Sequence, residues 1–462
     1  MYDNIFYIKF LFFISSLIIL SIPLLIRCNK KSEIDLSDPI YIFLFGFFCY
    51  LVLGQLEEIN FTYLSGLEII SEKSRLIAMK YVILCSASFV FLDYIFFKKN
   101  INLNSFGNNF LEINIKRSIL FFLILFSLST LFFYLNISRF GNLFDFIDLD
   151  LTKGQRDELL RKSGNYPFEM MFYLSFTSLV IILNYFFKNI YKSVIYSSLI
   201  FSPYFIYKIY FFDRSTIVKF IIFIIFIIVF EKKFKVLLKF NKKNILFLIF
   251  SFLFFIFFLQ LGEFRSSIRN LIYDKNFTIK DLKFTYKISQ NKLFLREFTN
   301  TNFGFLYIIE NNLTLKKNSN SYFHVFYSTI PRSFFKPFNN IKETEPIDKI
   351  TSSNLTNLYF ADQFNRSNPI SITNHPLTEA YYNYRNISPF IAAILFFVIY
   401  KFIYYLSINN NYFIKMSSIT LYPYLFLFWR SQFSGFFGYI IYYLVFFIFL
   451  YYVISKFKFT EK

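Results

Sequence analysis

Charged residues are scarce in this chain, because only 17% of its 462 residues are Asp, Glu, Lys or Arg. In soluble domains about a quarter of all residues are charged, so this chain has too few charged residues to cover a water-facing surface. Apolar residues make up 56% of the sequence, with 74 Phe and 36 Tyr, and the mean hydropathy is +0.46. An ordinary soluble globule is therefore excluded, and the bilayer must solvate much of the chain.

Cysteine and histidine are nearly absent. Cys28, Cys49 and Cys85 lie in or beside N-terminal apolar runs, which leaves no disulfide framework and no CxxC metal site. The chain also lacks a GxxxxGKS/T phosphate loop, an HExxH motif and a GxSxG elbow. ATP-driven transport and zinc proteolysis therefore lack support, and we expect neither a metal nor a cofactor.

Apolar stretches that are long enough to span a bilayer recur along the chain, and we place roughly eleven of them. They predict an all-α fold, a polytopic transmembrane helix bundle. The first stretch has little N-terminal charge and no small-residue cleavage site, so we expect a retained helix and not a signal peptide. The stretches cover about 5–26, 40–56, 77–97, 118–137, 168–187, 193–212, 215–230, 244–262, 387–406, 414–430 and 435–455.

Basic residues outnumber acidic ones by 49 to 29, and they stand in short clusters between the apolar stretches. Because no soluble module gathers them on one face, we expect no nucleic-acid partner. Alternate loops carry the excess of Lys and Arg, and the positive-inside rule makes these loops cytoplasmic. The N-terminus is then on the outer side of the membrane and the C-terminus is cytoplasmic. The chain divides into helices one to eight over 1–262, a large outer loop over 263–386 and helices nine to eleven over 387–462.

The large loop is too long to be a simple connection, and such loops are generally functional or disordered. It keeps apolar residues throughout, as in the run from Phe303 to Ile309. We therefore expect it to fold, with helices at about 292–312 and 320–329 and an irregular stretch from Pro331 to Pro369.

Arginines cluster where predicted helices meet the predicted outer surface. A guanidinium stays charged and can hold two phosphate oxygens at once, so such a cluster suits a phosphate or pyrophosphate head group. The alternative is that these side chains only reach for lipid phosphates from helix ends, which requires no specific function. The candidates are Arg214, Arg265, Arg269, Arg332, Arg385 and Arg430.

Two residues near the end of the loop are candidates for proton transfer. The imidazole of His375 can act as a general base at about pH 7, and the carboxylate of Glu379 can take a proton from a sugar hydroxyl. The structural alternatives are a packed histidine and a carboxylate at a helix start, where the macrodipole favours it. In the second case, Thr373 or Thr378 would lie near the cap.

A few charged residues and prolines fall inside the predicted spans. Each of the charged residues either has a function or lies close enough to the end of its span for its side chain to reach water. They are Lys80, Asp93, Lys208 and Lys219. Prolines at positions 23, 203 and 423 are expected to kink or break helices.

Short motifs occur in a characteristic order over about 205–405. Asp213-Arg214-Ser215 precedes an apolar helix, a Lys-rich turn follows, and Gly262-Glu263-Phe264-Arg265 closes the next helix. Then come Ser321-Tyr322, Ile330-Pro331-Arg332, Lys336-Pro337 and Thr378-Glu379-Ala380-Tyr381. This order resembles the oligosaccharide repeat-unit (O-antigen) polymerases of bacterial envelopes. After the last element that family usually shows an Asn-Phe-Gly-like turn, whereas here stand Asn383-Tyr384-Arg385, so a cation replaces the small residue.

The resemblance implies a GT-C-like membrane glycosyltransferase that uses undecaprenyl-pyrophosphate-linked repeat units. The growing glycan would be transferred from its lipid carrier to the incoming unit, with inversion. Arg214, Arg265 and Arg332 would hold the leaving pyrophosphate, together with Arg269 and Arg385, and Glu379 or His375 would deprotonate the acceptor hydroxyl. The partners would be the lipid-linked oligosaccharide, membrane lipid and a chain-length regulator protein.

Two other functions remain open from the sequence. An O-antigen ligase, which moves finished glycan onto a lipid or protein acceptor, would share the outer arginines and histidine. A lipid-linked oligosaccharide flippase or other transporter would explain kinked helices and intramembrane charges. Transporters usually show repeated halves and short outer loops, which this chain lacks.

Overall fold

The computed structural model of the chain is almost entirely helical over the residues that it describes. These residues are 2–31, 33–35, 38–56, 71–98, 115–137, 168–205, 214–232, 235–237, 296–312, 322, 375–409, 411–430 and 433–456. The exception is a pair of short antiparallel strands, β1 (Glu33–Asp35) and β2 (Lys235–Leu237), with Ile34 opposite Val236. The prediction of an all-α fold is confirmed in this coarse form.

The helices follow one another with few other elements between them. They are α1 (Tyr2–Lys31), α2 (Pro39–Phe47), α3 (Glu72–Lys98), α4 (Ile115–Ile137), α5 (Phe168–Phe187), α6 (Ile190–Ile200), α7 (Arg214–Lys232), α8 (Arg296–Glu310), α9 (Pro376–Tyr384), α10 (Ser388–Ser407), α11 (Tyr412–Ser418), α12 (Tyr422–Leu427), α13 (Phe433–Tyr443) and α14 (Leu450–Lys456). The chain also forms π-helices at Phe48–Leu53 and Leu444–Phe449, an α-helical turn at Gly54–Leu56, and 3-10 turns at Arg385–Ile387, Ile419–Leu421 and Phe428–Arg430.

Within the described residues, seven helical segments are long and apolar enough to cross a membrane. These segments are Tyr7–Arg27, Pro39–Leu56, Glu72–Phe96, Ile115–Leu135, Glu169–Phe187, Pro376–Ser407 and Phe436–Ile454. Of the other predicted spans, the one at 215–230 forms α7, and the one at 193–212 is represented by α6, which ends at Ile200. The predicted span at 244–262 lies outside the described residues.

The span predicted at 414–430 is broken into short helices. α11 ends at Ser418, a 3-10 turn follows, and α12 begins at Tyr422. A continuous α-helix would need a hydrogen bond from residue 423 to the preceding turn, and Pro423 has no N–H to donate. In contrast, α1 continues through Pro23, whose carbonyl accepts a hydrogen bond from Arg27 Nη1 at 3.1 Å.

The chain divides into two compact units. The first unit comprises Met1–Ile101, Phe234–Tyr404 and Tyr424–Gly438, and the second comprises Asn102–Lys233, Tyr405–Pro423 and Tyr439–Lys462.

The core of the first unit is centred on Trp429, which is fully buried. Its ring lies 4.8 Å from Phe43, 4.9 Å from Phe47 and 4.7 Å from Phe396 between centroids, and its Nε1 donates to the Phe43 carbonyl at 3.0 Å. Gly46 allows this packing, because a Cβ at that position would stand 2.4 Å from Trp429 Cδ1. The indole thus joins α2 to the 3-10 turn after α12.

The core of the second unit is also aromatic. Phe172 of α5 stacks on Tyr204 at 3.7 Å, and Phe176 packs against Phe223 of α7 at 5.6 Å. Phe121 of α4 meets Phe447 edge-on at 5.5 Å. Aromatic pairs of this kind contribute beyond their buried area.

Apolar side chains also cover the outside of the helices. On α10, Phe390, Ile394 and Val398 are about half exposed and stand four residues apart. Residues at this spacing share one face of a helix, so they form a continuous apolar stripe. A stripe of this kind suits lipid and not water, in agreement with a membrane protein.

Candidate functional site

α9 begins at the residue after His375, and its first turn has the features of a helix start. Pro376 occupies the first helical position, where its missing N–H removes no hydrogen bond. His375 is the N-cap, because its Nδ1 accepts the backbone N–H of Thr378 at 3.1 Å. Thr378 Oγ1 lies 3.2 Å from the same nitrogen. The cap is therefore the histidine itself, and Thr378, one of the two threonines that the structural alternative placed near the cap, contacts it.

His375 is fully buried in the first unit. Burial lowers the pKa of His375 to about 3, because the charged imidazolium would lose its hydration, and a backbone hydrogen bond opposes the shift only in part. The ring is therefore neutral at about pH 7. It meets the Phe305 ring of α8 edge-on, with centroids 5.0 Å apart.

Glu379 follows His375 by one helical turn and is also fully buried. His375 has extended backbone angles (φ −91°, ψ 166°), so it precedes the helical residues and caps them. Burial raises the pKa of the Tyr322 hydroxyl, and the nearby charge of Glu379 raises it further. The start of α9 thus carries a buried imidazole at the cap and a buried carboxyl group in the first turn, and each group is able to exchange hydrogen bonds with a hydroxyl group.

Aromatic rings surround this turn of α9. Phe305 of α8 lies 5.6 Å from Tyr381, and Tyr381 lies 5.2 Å from Tyr81 of α3, in both cases edge-on. Tyr322 stacks on Tyr384 at 5.7 Å. The sequence predicted the helix that carries Phe305, but it held no signal for which of its residues would face α9.

A buried amide pair fixes α8 beside the π-helix Phe48–Leu53. Gln55 Nε2 donates to Asn302 Oδ1 at 2.6 Å, and Asn302 Nδ2 donates to the Tyr50 carbonyl. A π-helix leaves carbonyl groups that an α-helix would pair, and such segments are frequent at functional sites. Sequence reasoning missed Gln55 and Asn302, because a π-helix has no periodic signature that a sequence pattern reveals.

Arg385 occupies the junction between α9 and α10. Its Nη2 donates to the Asn312 carbonyl at 2.8 Å, its Nη1 donates to the Tyr381 hydroxyl at 3.3 Å, and its guanidinium lies 5.1 Å from the centre of the Tyr381 ring. Its φ of 50° and ψ of −119° belong to a region that glycine favours. The side chain thus ties the end of α9 to the chain after α8.

Among the predicted site residues, the structure places His375 and Glu379 at the start of α9, both buried, and Arg385 at the end of the same helix. Arg214 is the first residue of α7, but its side chain is not among those described. The same holds for the side chain of Arg430, at the end of a 3-10 turn. Arg265, Arg269 and Arg332 lie outside the described residues.

Two of the four charged residues that we predicted inside spans are buried and have ion-pair partners. Asp93 contacts Arg27, and Lys219 contacts Glu169 at 2.7 Å. Lys80 is exposed, and Lys208 lies outside the described residues. Both pairs join two helices, so helix packing already accounts for these charges.

No cluster of three or more His, Cys, Asp or Glu side chains that could hold a metal ion occurs in the part of the chain that the structure describes.

Comparison with known proteins returns no relative, because the chain matches no protein-family model, no curated protein and no solved structure. The resemblance of the motifs over about 205–405 thus remains a prediction.

Proposed function

We propose that the chain is a membrane-embedded polysaccharide polymerase, which joins undecaprenyl-pyrophosphate-linked oligosaccharide repeat units. The observation that carries the proposal is that two groups able to exchange protons or hydrogen bonds, His375 at the cap of α9 and Glu379 in its first turn, are both buried. Transfer of a glycan to a sugar hydroxyl needs a group that takes the hydroxyl proton and groups that orient the acceptor. The order of motifs over about 205–405 supports the same function.

In the proposed reaction, the acceptor hydroxyl of one repeat unit attacks the anomeric carbon of the glycan on its lipid carrier. A C–O bond forms on one face of that carbon, and the C–O bond to the pyrophosphate breaks on the other, which inverts the configuration. The hydroxyl proton passes to Glu379. The pyrophosphate keeps the bonding electrons and leaves attached to the carrier lipid. The leaving group is already activated, so the reaction needs no metal ion.

Arginines would stabilise the negative charge that develops on the pyrophosphate. We assign this role to Arg214, Arg265 and Arg332, with Arg269 beside them in the motif after the eighth predicted span. Arg385 contacts Tyr381 and Asn312, so we assign it to holding α9 in place.

The finer architecture belongs to the same proposal. It comprises eleven spans in a GT-C-like arrangement, in the bacterial inner membrane, with a periplasmic N-terminus and a cytoplasmic C-terminus. Loop 263–386 would then cover the site from the periplasm, and lipid-facing helices would guide the polyprenyl tail. A chain-length regulator protein would be the protein partner.

A clean deletion strain tests the function. We expect the ladder of surface polysaccharide to collapse to a single repeat unit and to return on complementation. A polymer that persists on the carrier but is absent from the final acceptor would indicate a ligase. Failure of repeat units to reach the outer leaflet would indicate a flippase, and an unchanged ladder would exclude all three functions.

Glu379→Gln tests the role of the carboxyl group with little change in shape. Loss of a general base lowers the rate by roughly 10²–10⁴-fold, so we expect single repeat units at normal protein levels. Glu72→Gln, at the exposed start of α3, is the matched control and should leave the ladder intact. A normal ladder in Glu379→Gln would exclude Glu379 as the base.

A further inference from the structure

The geometry around His375 points to a hydrogen-bond donor: we infer that its Nε2–H binds a neutral oxygen of the acceptor sugar, and that the residue does not accept the proton. This inference rests on the proposed function and deepens it, because it assigns separate tasks to the two residues of the pair. His375 becomes a residue that binds the acceptor glycan, and Glu379 is left as the base.

The first step is the tautomer of the imidazole. Thr378 N–H points at Nδ1 from 3.1 Å, and the same N–H is 3.0 Å from the His375 carbonyl oxygen. A backbone N–H can only donate, so Nδ1 must offer its lone pair, since a proton on Nδ1 would collide with the amide hydrogen. In a neutral ring the single proton is then on Nε2.

The second step is the environment of Nε2. This atom is buried and has no hydrogen-bond partner within the described part of the chain. The ring next to it, Phe305, consists of carbon and hydrogen and offers no oxygen or nitrogen. A buried N–H without an acceptor is costly, and such groups in native structures call for an explanation.

The third step is the nature of the missing acceptor. Glu379, in the first turn of α9, is also buried, and a carboxylate accepts a hydrogen bond from a hydroxyl group but repels a phosphate oxygen. A sugar hydroxyl meets both requirements, because its oxygen accepts from Nε2–H while its own proton is shared with the carboxylate. The same groups therefore suit the acceptor glycan better than the pyrophosphate of the donor.

Two substitutions separate the nitrogens of the ring. In His375→Asn, the side-chain oxygen can still cap α9, as Asn is a preferred N-cap, but no group reaches the position of Nε2. In His375→Gln, the longer amide can present an N–H near the position of Nε2, but the cap is lost. Neither side chain can act as a base at neutral pH.

The readout is the polysaccharide ladder at equal protein level, with the parent strain as reference. We expect His375→Asn to lose the ladder and His375→Gln to keep a shortened one. The reverse order would mean that His375 serves only as a cap, and loss in both variants would mean that it takes a proton. Normal ladders in both would mean that the residue is not needed. Each of these three results overturns the inference.

A measurement on the purified protein is independent of polysaccharide synthesis. ¹⁵N NMR of protein labelled at histidine, with His375→Asn used to identify the signals of His375, reads the tautomer directly. We expect a proton on Nε2 and none on Nδ1, with no titration between about pH 5 and 8, where a free histidine titrates. A proton on Nδ1, or titration in that range, would overturn the inference even if the polymerase function stands. The expected spectrum with an unchanged ladder in the deletion strain would instead overturn the proposed function, and with it the sugar as the ligand, while the tautomer of His375 would stand.

Discussion

Arg27 of α1 and Asp93 of α3 form a two-point ion pair inside the first unit. Nη1 donates to Oδ2 at 2.8 Å and Nη2 donates to Oδ1 at 3.2 Å, and the side chains are 5% and 1% exposed. Asp38 accepts from Arg27 Nε at 3.1 Å, and Lys401 lies 3.4 Å from Asp93. Two cations and two carboxylates thus balance each other. Lys401 lies about 20 Å along α10 from the first residue of that helix. His375 precedes α9 and therefore lies beyond that end of α10, far from this network.

Loss of one member of this network is expected to destabilise the protein. Asp93→Asn leaves Arg27 and Lys401 with one carboxylate between them, and breaking a buried pair costs about 3–5 kcal/mol of unfolding free energy. Thermal unfolding in detergent micelles measures the effect. Lys80→Gln removes an exposed charge from the same helix and should change little. Equal stability of the two variants would show that the pair does not hold α1 to α3.

The close approach of Gly46 to Trp429 predicts a second sensitive position. Gly46→Ala places a methyl group against the indole, and overpacking of a core typically costs about 1–3 kcal/mol. Denaturation followed by fluorescence of Trp429, the single tryptophan, reports the change at this site. Ala87→Ser, at an exposed position of α3, is the control. A Gly46→Ala protein as stable as the parent would mean that α2 can move away from the indole.

Stability is expected to depend on pH through His375. Its pKa is about 3 in the folded protein, against about 6.5 for a free histidine. Between these values the unfolded chain binds one more proton than the folded protein, so stability rises with pH. The melting temperature should fall as the pH drops from about 6.5 toward 4, and His375→Asn should flatten this part of the curve. Parallel curves for the two proteins would contradict a buried neutral histidine.

The backbone conformation at Arg385 predicts that glycine at this position gives a more stable protein than alanine. A non-glycine residue in a sparsely populated region costs roughly 1–3 kcal/mol, and glycine avoids this cost. Both Arg385→Ala and Arg385→Gly lose the hydrogen bonds to Asn312 and Tyr381. The difference between their free energies of unfolding therefore reports the cost of the backbone conformation. We expect the glycine variant to be the more stable in thermal unfolding. If alanine is equal or better, the backbone at residue 385 is not strained.

The predicted pyrophosphate ligands are tested by chain length. Arg265→Ala and Arg332→Ala should each reduce both the length and the yield of the polysaccharide at normal protein levels. Each substitution removes a cation that would stabilise the negative charge on the leaving pyrophosphate. Arg117→Ala, on the predicted cytoplasmic side at the start of α4, should have no such effect. Unchanged ladders in both outer variants would remove these arginines from the proposed site.

Much of the helical structure followed from hydrophobic length alone. The stretch predicted at 387–406 is α10, and the stretch predicted at 118–137 is α4. Long apolar runs admit few alternatives to a helix in lipid, because every backbone N–H and C=O must be paired within the segment. The broken stretch at 414–430 shows the limit, since the 3-10 turn before Pro423 depends on local hydrogen bonding.

One local feature of the candidate site was predictable, but its geometry was not. The sequence placed Glu379 near the start of a helix, and the structure confirms a helix start at Pro376. That the histidine would be the cap, with Nδ1 turned to Thr378, was not predictable, because histidine is not a usual cap residue.

Composition and apolar length by themselves determined that this chain is a helical membrane protein, because the cost of unpaired backbone groups in lipid depends only on how many apolar residues follow one another. Only the tertiary structure decided which charged and polar groups meet. Arg27 and Asp93 are 66 positions apart in the sequence, and Gln55 and Asn302 are 247 apart. Contacts at such separations arise from helix packing, which a linear pattern of residues does not encode.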